Sequence, residues 1–126
     1  MIQQQSRLKV SDNSGAKKVT CIKTLGGFKR KTSNLGDIIV ISVQQLRNRS
    51  RLRSKVKKGE VLKAFILRSK RKSQRPDGSF FYFMENSVCL LNKQGKALAT
   101  RIIGPVPKTF KNRKYNKFAS ISAGLV

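Results

Sequence analysis

The sequence predicts a mainly-β protein: a small closed barrel, a basic ribbon projecting from it, and a short helical tail. Three observations carry this reading. Short β-branched runs recur between Gly, Asn and Asp turns. No helical segment alternates with them, as a parallel βαβ sheet would require. At Gly104 the pattern changes, and prolines replace the alternation. Five or six short strands in one chain of 126 residues bury the most apolar surface by closing on themselves, which also removes free edges. We expect a single domain over residues 1–126, with the barrel over about 1–104 and the tail over about 105–126.

The elements follow in order. Leu8-Lys9-Val10 alternates, and Ser11 to Gly15 has the Asx chemistry of a turn. Val19 to Leu25 reads as a strand stopped by Gly26-Gly27, and a basic loop from Phe28 to Asn34 follows. Ile38 to Val43 is a continuous apolar run, which predicts a strand buried on both faces. Val61 to Leu67 comes after the turn Lys58-Gly59-Glu60. Phe80 to Phe83 and Val88 to Leu91 are shorter strands, with Glu85-Asn86 between them. In the tail, Pro105 and Pro107 break the sheet pattern, and Pro107 suits the first position of a helix. Val106 and Phe110 make one stripe, and Tyr115, Phe118 and Ile121 another. The two do not join, so the tail reads as two short helices with a break near Asn112.

Charge then narrows the function. Lys and Arg number 29 against five acids, a formal net charge of +24, with no histidine. Such a surface repels itself and attracts polyanions. Without histidine there is no Ser-His-Asp or Cys-His constellation and no imidazole base or metal ligand. Cys21 and Cys89 are too few for a structural zinc site or a disulfide framework, and both lie in apolar strands, where packing is their expected use. Asp12, Asp37, Glu60, Asp77 and Glu85 all fall in predicted turns and form no metal-binding pair. We therefore expect no catalysis, no cofactor, no metal and no membrane span.

Four basic patches are the candidate RNA-binding residues. The sharpest runs from Arg47 to Lys58, where Arg47, Arg49, Arg51, Arg53, Lys55 and Lys57 alternate with other residues and Lys58 follows. In an extended chain this period places the six on one face about 6.7 Å apart, close to the spacing of phosphates along a strand. The second patch is Arg68, Lys70, Arg71, Lys72 and Arg75, ahead of Pro76-Asp77-Gly78, on the projecting ribbon. Lys29, Arg30 and Lys31 form the third, and Lys108, Lys111, Arg113 and Lys114, with Lys117, the fourth. Patches spread along the whole chain imply contact over much of the surface rather than in one groove. Alternation sends Phe81 and Phe83 to one face and Phe80 and Tyr82 to the other, and we assign at least one pair to the core rather than to base stacking.

The chain resembles the large-ribosomal-subunit protein fourteen family in its bacterial and organellar branch. The matching stretches are Met1-Ile2-Gln3, Asp12 to Ala16, Cys21-Ile22-Lys23 with Leu25-Gly26-Gly27, Gly36 to Ile39, Val56 to Gly59 with Val61 to Ala64, Arg75 to Gly78, Leu90 to Asn92, Thr100 to Ile102, and Gly104 to Val106. They are collinear over essentially the whole chain. The resemblance implies a five-stranded barrel with a ribbon and two short C-terminal helices. It also implies a seat on large-subunit rRNA, contact with small-subunit rRNA across the subunit interface, and neighbouring large-subunit proteins. A ribosome silencing factor would dock near Thr100, Arg101 and Lys117. Two stretches depart from the family pattern: the loop from Leu46 to Lys55 is longer and more basic, and Lys108-Thr109-Phe110-Lys111 stands where an acid and Arg are usual.

Abundant Lys, Asn, Ser and Phe with few alanines suggest an AT-rich organellar genome, and the N-terminus does not read as a presequence. A mitochondrial ribosome is the expected location, with a plastid or bacterial ribosome as the alternative. The competing function is a free single-strand RNA-binding protein or RNA chaperone of OB type. That class exposes an aromatic face and carries modest charge, whereas this chain carries +24.

Overall fold

The computed structural model describes residues 1–47, 54–111 and 115–126. Its strands are β1 (Arg7–Val10), β2 (Ala16–Thr24), β3 (Ile38–Leu46), β4 (Val61–Arg68), β5 (Ser73–Gln74), β6 (Phe80–Phe81), β7 (Ser87–Leu91), β8 (Ile102–Val106) and β9 (Ser122–Leu125). Five of them close a barrel in the order β1-β2-β3-β4-β7. Neighbours are antiparallel except β1 and β7, whose parallel pairing of Val10 with Val88 shuts the barrel. The ribbon β5–β6 leaves the barrel between β4 and β7, as the sequence predicts.

Alternate residues of each strand point inward. Leu8 and Val10, Val19 and Cys21, Ile39, Ile41 and Val43, Ala64 and Ile66, and Val88 and Leu90 fill the barrel. The expectation that Ile38 to Val43 is buried on both faces is corrected here. Ile39, Ile41 and Val43 are buried, but Ile38 is exposed and Val40 and Ser42 are half-buried, so β3 faces the core on one side only. The doubly buried strands are β7, with all five residues buried, and β4 from Ala64 to Leu67. The difference lies in the tail, which covers the outside of β4 and β7 and leaves β3 open. Phe65, Leu67, Cys89 and Leu91 form a second core there with Ile102, Val106, Phe110 and Phe118. Phe65 is its centre: its ring stacks on Phe118 at 4.4 Å and meets Tyr115 at 5.1 Å and Phe110 at 5.2 Å.

The tail holds a 3₁₀ turn, Lys108–Lys111, and helix α1, Asn116–Ser120, matching the two expected short helices. The expected break at Asn112 lies outside the described residues. The tail is also not free of sheet. β8, which contains Pro105, runs parallel to β9, with Ile102 opposite Ser122 and Pro105 opposite Gly124. Proline is tolerated because this is a two-stranded sheet, where a missing N–H interrupts no central ladder, and the register shifts between Ile102 and Pro105.

Asp12 joins the parts. Its buried carboxylate accepts hydrogen bonds from the Ser14 amide (3.0 Å), the Ser14 hydroxyl and the Leu90 amide in β7 (2.8 Å). Ser11 O accepts a hydrogen bond from the amide of Ile103 in β8 at 2.6 Å.

Candidate nucleic-acid interface

The acids leave the positive field almost unopposed. Asp12 is buried, Asp37 pairs with Arg30 and Glu60 accepts from the Lys57 amide at 2.9 Å. Glu85 pairs with Lys9 at 2.9 Å and Arg68 at 3.5 Å. Asp77, at the ribbon turn, accepts the Ser79 hydroxyl at 2.7 Å and amide at 3.0 Å, and these bonds hold its carboxyl below the usual range. Every acid is thus engaged within the fold, and among the described lysines Lys9 alone forms an ion pair with one.

Two predicted RNA-binding residues point elsewhere. The half-buried Arg30 donates to Thr32 O (3.0 Å), Leu25 O (3.3 Å) and the Asp37 carboxylate. Arg68, with a side chain only 11% exposed, donates from Nε to Ser87 Oγ (2.7 Å) and from Nη2 to Ser11 Oγ and Ile103 O (3.2 Å). Burial lowers the Arg68 pKa, and Glu85 offsets part of that. Both guanidiniums hold loops together, so we leave them out of the interface. Sequence does not separate such arginines from surface ones, because the run around each is basic either way.

The remaining cations sort by element. Lys29 and Lys31 are exposed on the loop after β2, where Lys29 lies 5.5 Å from the ring of Phe28, itself 93% exposed. Lys70, Arg71 and Lys72 are exposed at the base of the ribbon, with Arg71 bonded to Asn34 Oδ1 at 2.8 Å. Arg75 lies over the Phe81 ring at 4.9 Å. Lys57, Lys58, Lys108 and Lys111 are exposed.

Arg49, Arg51, Arg53, Arg113 and Lys114 lie outside the described residues. The reading of Arg47 to Lys57 as one extended basic face rests mostly on those residues, and only its flanks are described. The Arg47 amide bonds Gly15 O at 2.9 Å and the Lys55 amide bonds Ser14 O at 3.0 Å. Arg47 also donates to Val10 O (3.2 Å), and Lys55 Nζ to Leu98 O (3.2 Å).

The four predicted patches omit a fifth. Leu8 and Val10 point inward, so Arg7 and Lys9 point outward, and Lys9 stands opposite Lys18. Register shifts around Lys18 turn both Lys17 and Lys18 to solvent. A furrow of about 620 Å³ lined by Gln5, Arg7, Lys18, Gln44, Gln45 and Lys58 meets another of about 320 Å³ lined by Lys9, Lys17, Lys70 and Met84, with Arg7 and Lys18 common to both. The alternation of Arg7 to Val10 carried this signal, but the longer charge runs masked it.

Of the expected partner residues, Thr100 and Arg101 directly precede β8, and Lys117 lies on α1. Asn13 accepts at Oδ1 from the Thr100 amide (3.1 Å) and the Arg101 amide (3.4 Å), and its Nδ2 donates to Thr100 Oγ1 (2.8 Å). The Ile102 amide bonds Ile121 O, which brings the chain after Arg101 beside the chain leaving α1, the helix that carries Lys117. All three side chains are exposed.

A closed barrel with a basic ribbon and a docked tail is the setting in which the comparison with known families decides. The family model described as ribosomal protein L14p/L23e matches residues 1–126, the whole chain. The chain belongs to the L14p/L23e family. This L14p/L23e protein is therefore a structural ribosomal protein of the large subunit, from a family associated with ribosomal RNA and ribosomal proteins.

Proposed function

We propose that this protein is held in the large subunit by distributed phosphate contacts and helps bridge to small-subunit rRNA. The carrying observation is that the acids are tied up locally while Lys29, Lys31, Lys57, Lys58, Lys70, Arg71, Lys72, Lys108 and Lys111 stay exposed on separate elements. Arg7, Lys17 and Lys18 join this surface through the furrows. Arg49, Arg51, Arg53, Arg113 and Lys114 extend it on sequence grounds. Thr100, Arg101 and Lys117 are the proposed docking point for a protein such as a silencing factor. The Asn13 bonds that fix the Thr100–Arg101 backbone support a preformed site there.

The Lys-, Asn- and Phe-rich, Ala-poor composition favours a mitochondrial ribosome over a plastid or bacterial one. The test is sedimentation of mitochondrial lysate containing the tagged chain. Cosedimentation with large subunits, reversed by salt, is expected, and crosslinks to small-subunit rRNA are expected only in joined ribosomes. A tagged chain that stays at the top of the gradient overturns the reading. Crosslinks to large-subunit rRNA alone overturn the bridge.

A further inference from the structure

The aromatic run beside the ribbon does not enter either core, contrary to the expectation that at least one pair would. Its burial alternates from Phe80 to Met84. Phe81 and Phe83 are half-buried and meet edge to face at 6.1 Å, with Arg75 over Phe81. Phe80, Tyr82 and Met84 are 65%, 54% and 81% exposed. The chain thus presents two rings and a thioether to solvent in one stripe, while the opposite side is satisfied by internal contacts.

Both ends of the stripe meet cations. Phe80 lines a furrow of about 410 Å³ with Arg71 and Lys72, and Met84 lines the furrow that holds Lys17, Lys18 and Lys70. Of the two nearby acids, Glu85 is paired with Lys9 and Arg68, and Asp77 with the Ser79 hydroxyl and amide. An apolar protein surface would desolvate these cations without pairing them, at a cost. A nucleotide meets both needs, because its base offers a π-face to a ring and its phosphate an anion to the lysine beside it.

We propose that Phe80 and Tyr82 are a stacking platform for unpaired RNA bases, with Arg71, Lys72 and Lys70 taking the flanking phosphates. The inference rests on the rRNA-binding reading and adds to it a preference for single-stranded over paired RNA. Phosphate contacts alone do not supply that preference.

The chain has no tryptophan, and its other tyrosine, Tyr115, packs against the second core, so quenching that disappears in Tyr82→Phe reports stacking on Tyr82. The full-length protein is titrated with single-stranded oligoadenylate and with an RNA duplex of equal phosphate number. Oligoadenylate should quench tyrosine emission and the duplex should not. Tyr82→Phe should keep the affinity and lose most of the quenching. Phe80→Ala with Tyr82→Ala should weaken oligoadenylate binding by on the order of tenfold or more, with duplex binding, salt slope and melting temperature unchanged. A double variant that binds both RNAs like the unmodified chain overturns the platform and leaves the phosphate reading standing. Absence of salt-dependent binding to either RNA overturns both. A double variant that binds RNA normally but fails to enter large subunits shows that the stripe faces a protein, and also overturns the platform.

Discussion

Arg68 lies directly beneath Gly104: a Cβ on that glycine would stand 2.6 Å from Arg68 Nη1. Gly104 has φ +91°, a conformation that L side chains rarely adopt, and the guanidinium below it is fixed by Ser11, Ser87 and Ile103. The pair clamps β8, and with it the tail, onto the barrel. Gly104→Ala is expected to destabilise by about 1–2 kcal/mol from backbone strain, with the clash in addition. Arg68→Lys cannot reproduce the fork of donors and should cost about 2–3 kcal/mol. Combining Gly104→Ala with Arg68→Ala should cost less than the sum, because the clash disappears with the guanidinium. Chemical denaturation of the unmodified chain, Gly104→Ala, Arg68→Ala and the double variant measures this, and strict additivity would show that the contact is not felt.

The same clamp recurs at Arg30, which sits under Gly26 (φ +103°) and pairs with Asp37. This separates the arginines that hold the fold from the lysines proposed to meet RNA. Arg30→Gln and Arg68→Gln should lower the melting temperature yet leave the salt slope of RNA binding unchanged in the folded protein. Lys31→Gln and Lys72→Gln should leave melting unchanged. Each should lower the slope of log affinity against log salt by about 0.7–0.9 per lost contact. A loss of slope in the arginine variants would place those side chains on RNA.

How far the sequence is legible follows from range. Period-two alternation reveals Leu8, Val10, Val19 and Cys21 as core residues, and turn chemistry locates the ribbon. Both signals are local. Whether Ile38 or Cys89 has its outer face covered depends on where the tail docks, dozens of residues away, and so it is not written in the strand itself. The outward basic stripe of β1 follows from the same alternation, but four louder charge runs hide it. Arg30 and Arg68 look like any other cation until the glycines and carbonyls around them are in place. The bonds from the Arg47 and Lys55 amides to Gly15 O and Ser14 O are likewise tertiary facts.

Cys21 and Cys89 give the stability a basic limit. Burial raises both thiol pKa values, and for Cys89 the neighbouring Asp12 carboxylate adds to it. The unfolded chain ionises its thiols near pH 9, while the folded chain keeps Cys89 protonated there and holds Cys21 above its ordinary value. The unfolded state therefore binds fewer protons above that pH, and stability falls as pH rises. Below about pH 8.5 the contribution is complete. Denaturation between pH 8 and 10 should show a slope of up to about 1.4 kcal/mol per pH unit from Cys89, with Cys21 adding in the same direction. Cys89→Ala should be less stable at neutral pH but flatter over that range. An unchanged slope in Cys89→Ala would mean that the thiol is free to ionise in the folded state.

The two cysteines also report separately on the two cores, since Cys21 lies inside the barrel and Cys89 lies under the tail. Phe118 stacks on Phe65 and closes the second core from α1. Phe118→Ala should cost about 3 kcal/mol, and the loss should be local because the barrel's ladders do not pass through the tail. With Cys21 replaced by Ala, modification of Cys89 by an aromatic disulfide reagent should then accelerate strongly. With Cys89 replaced by Ala, modification of Cys21 should change little, because its access still requires opening the barrel. Equal acceleration at both thiols would mean that tail and barrel unfold as one unit, and that the second core is an extension of the first rather than a lid over it.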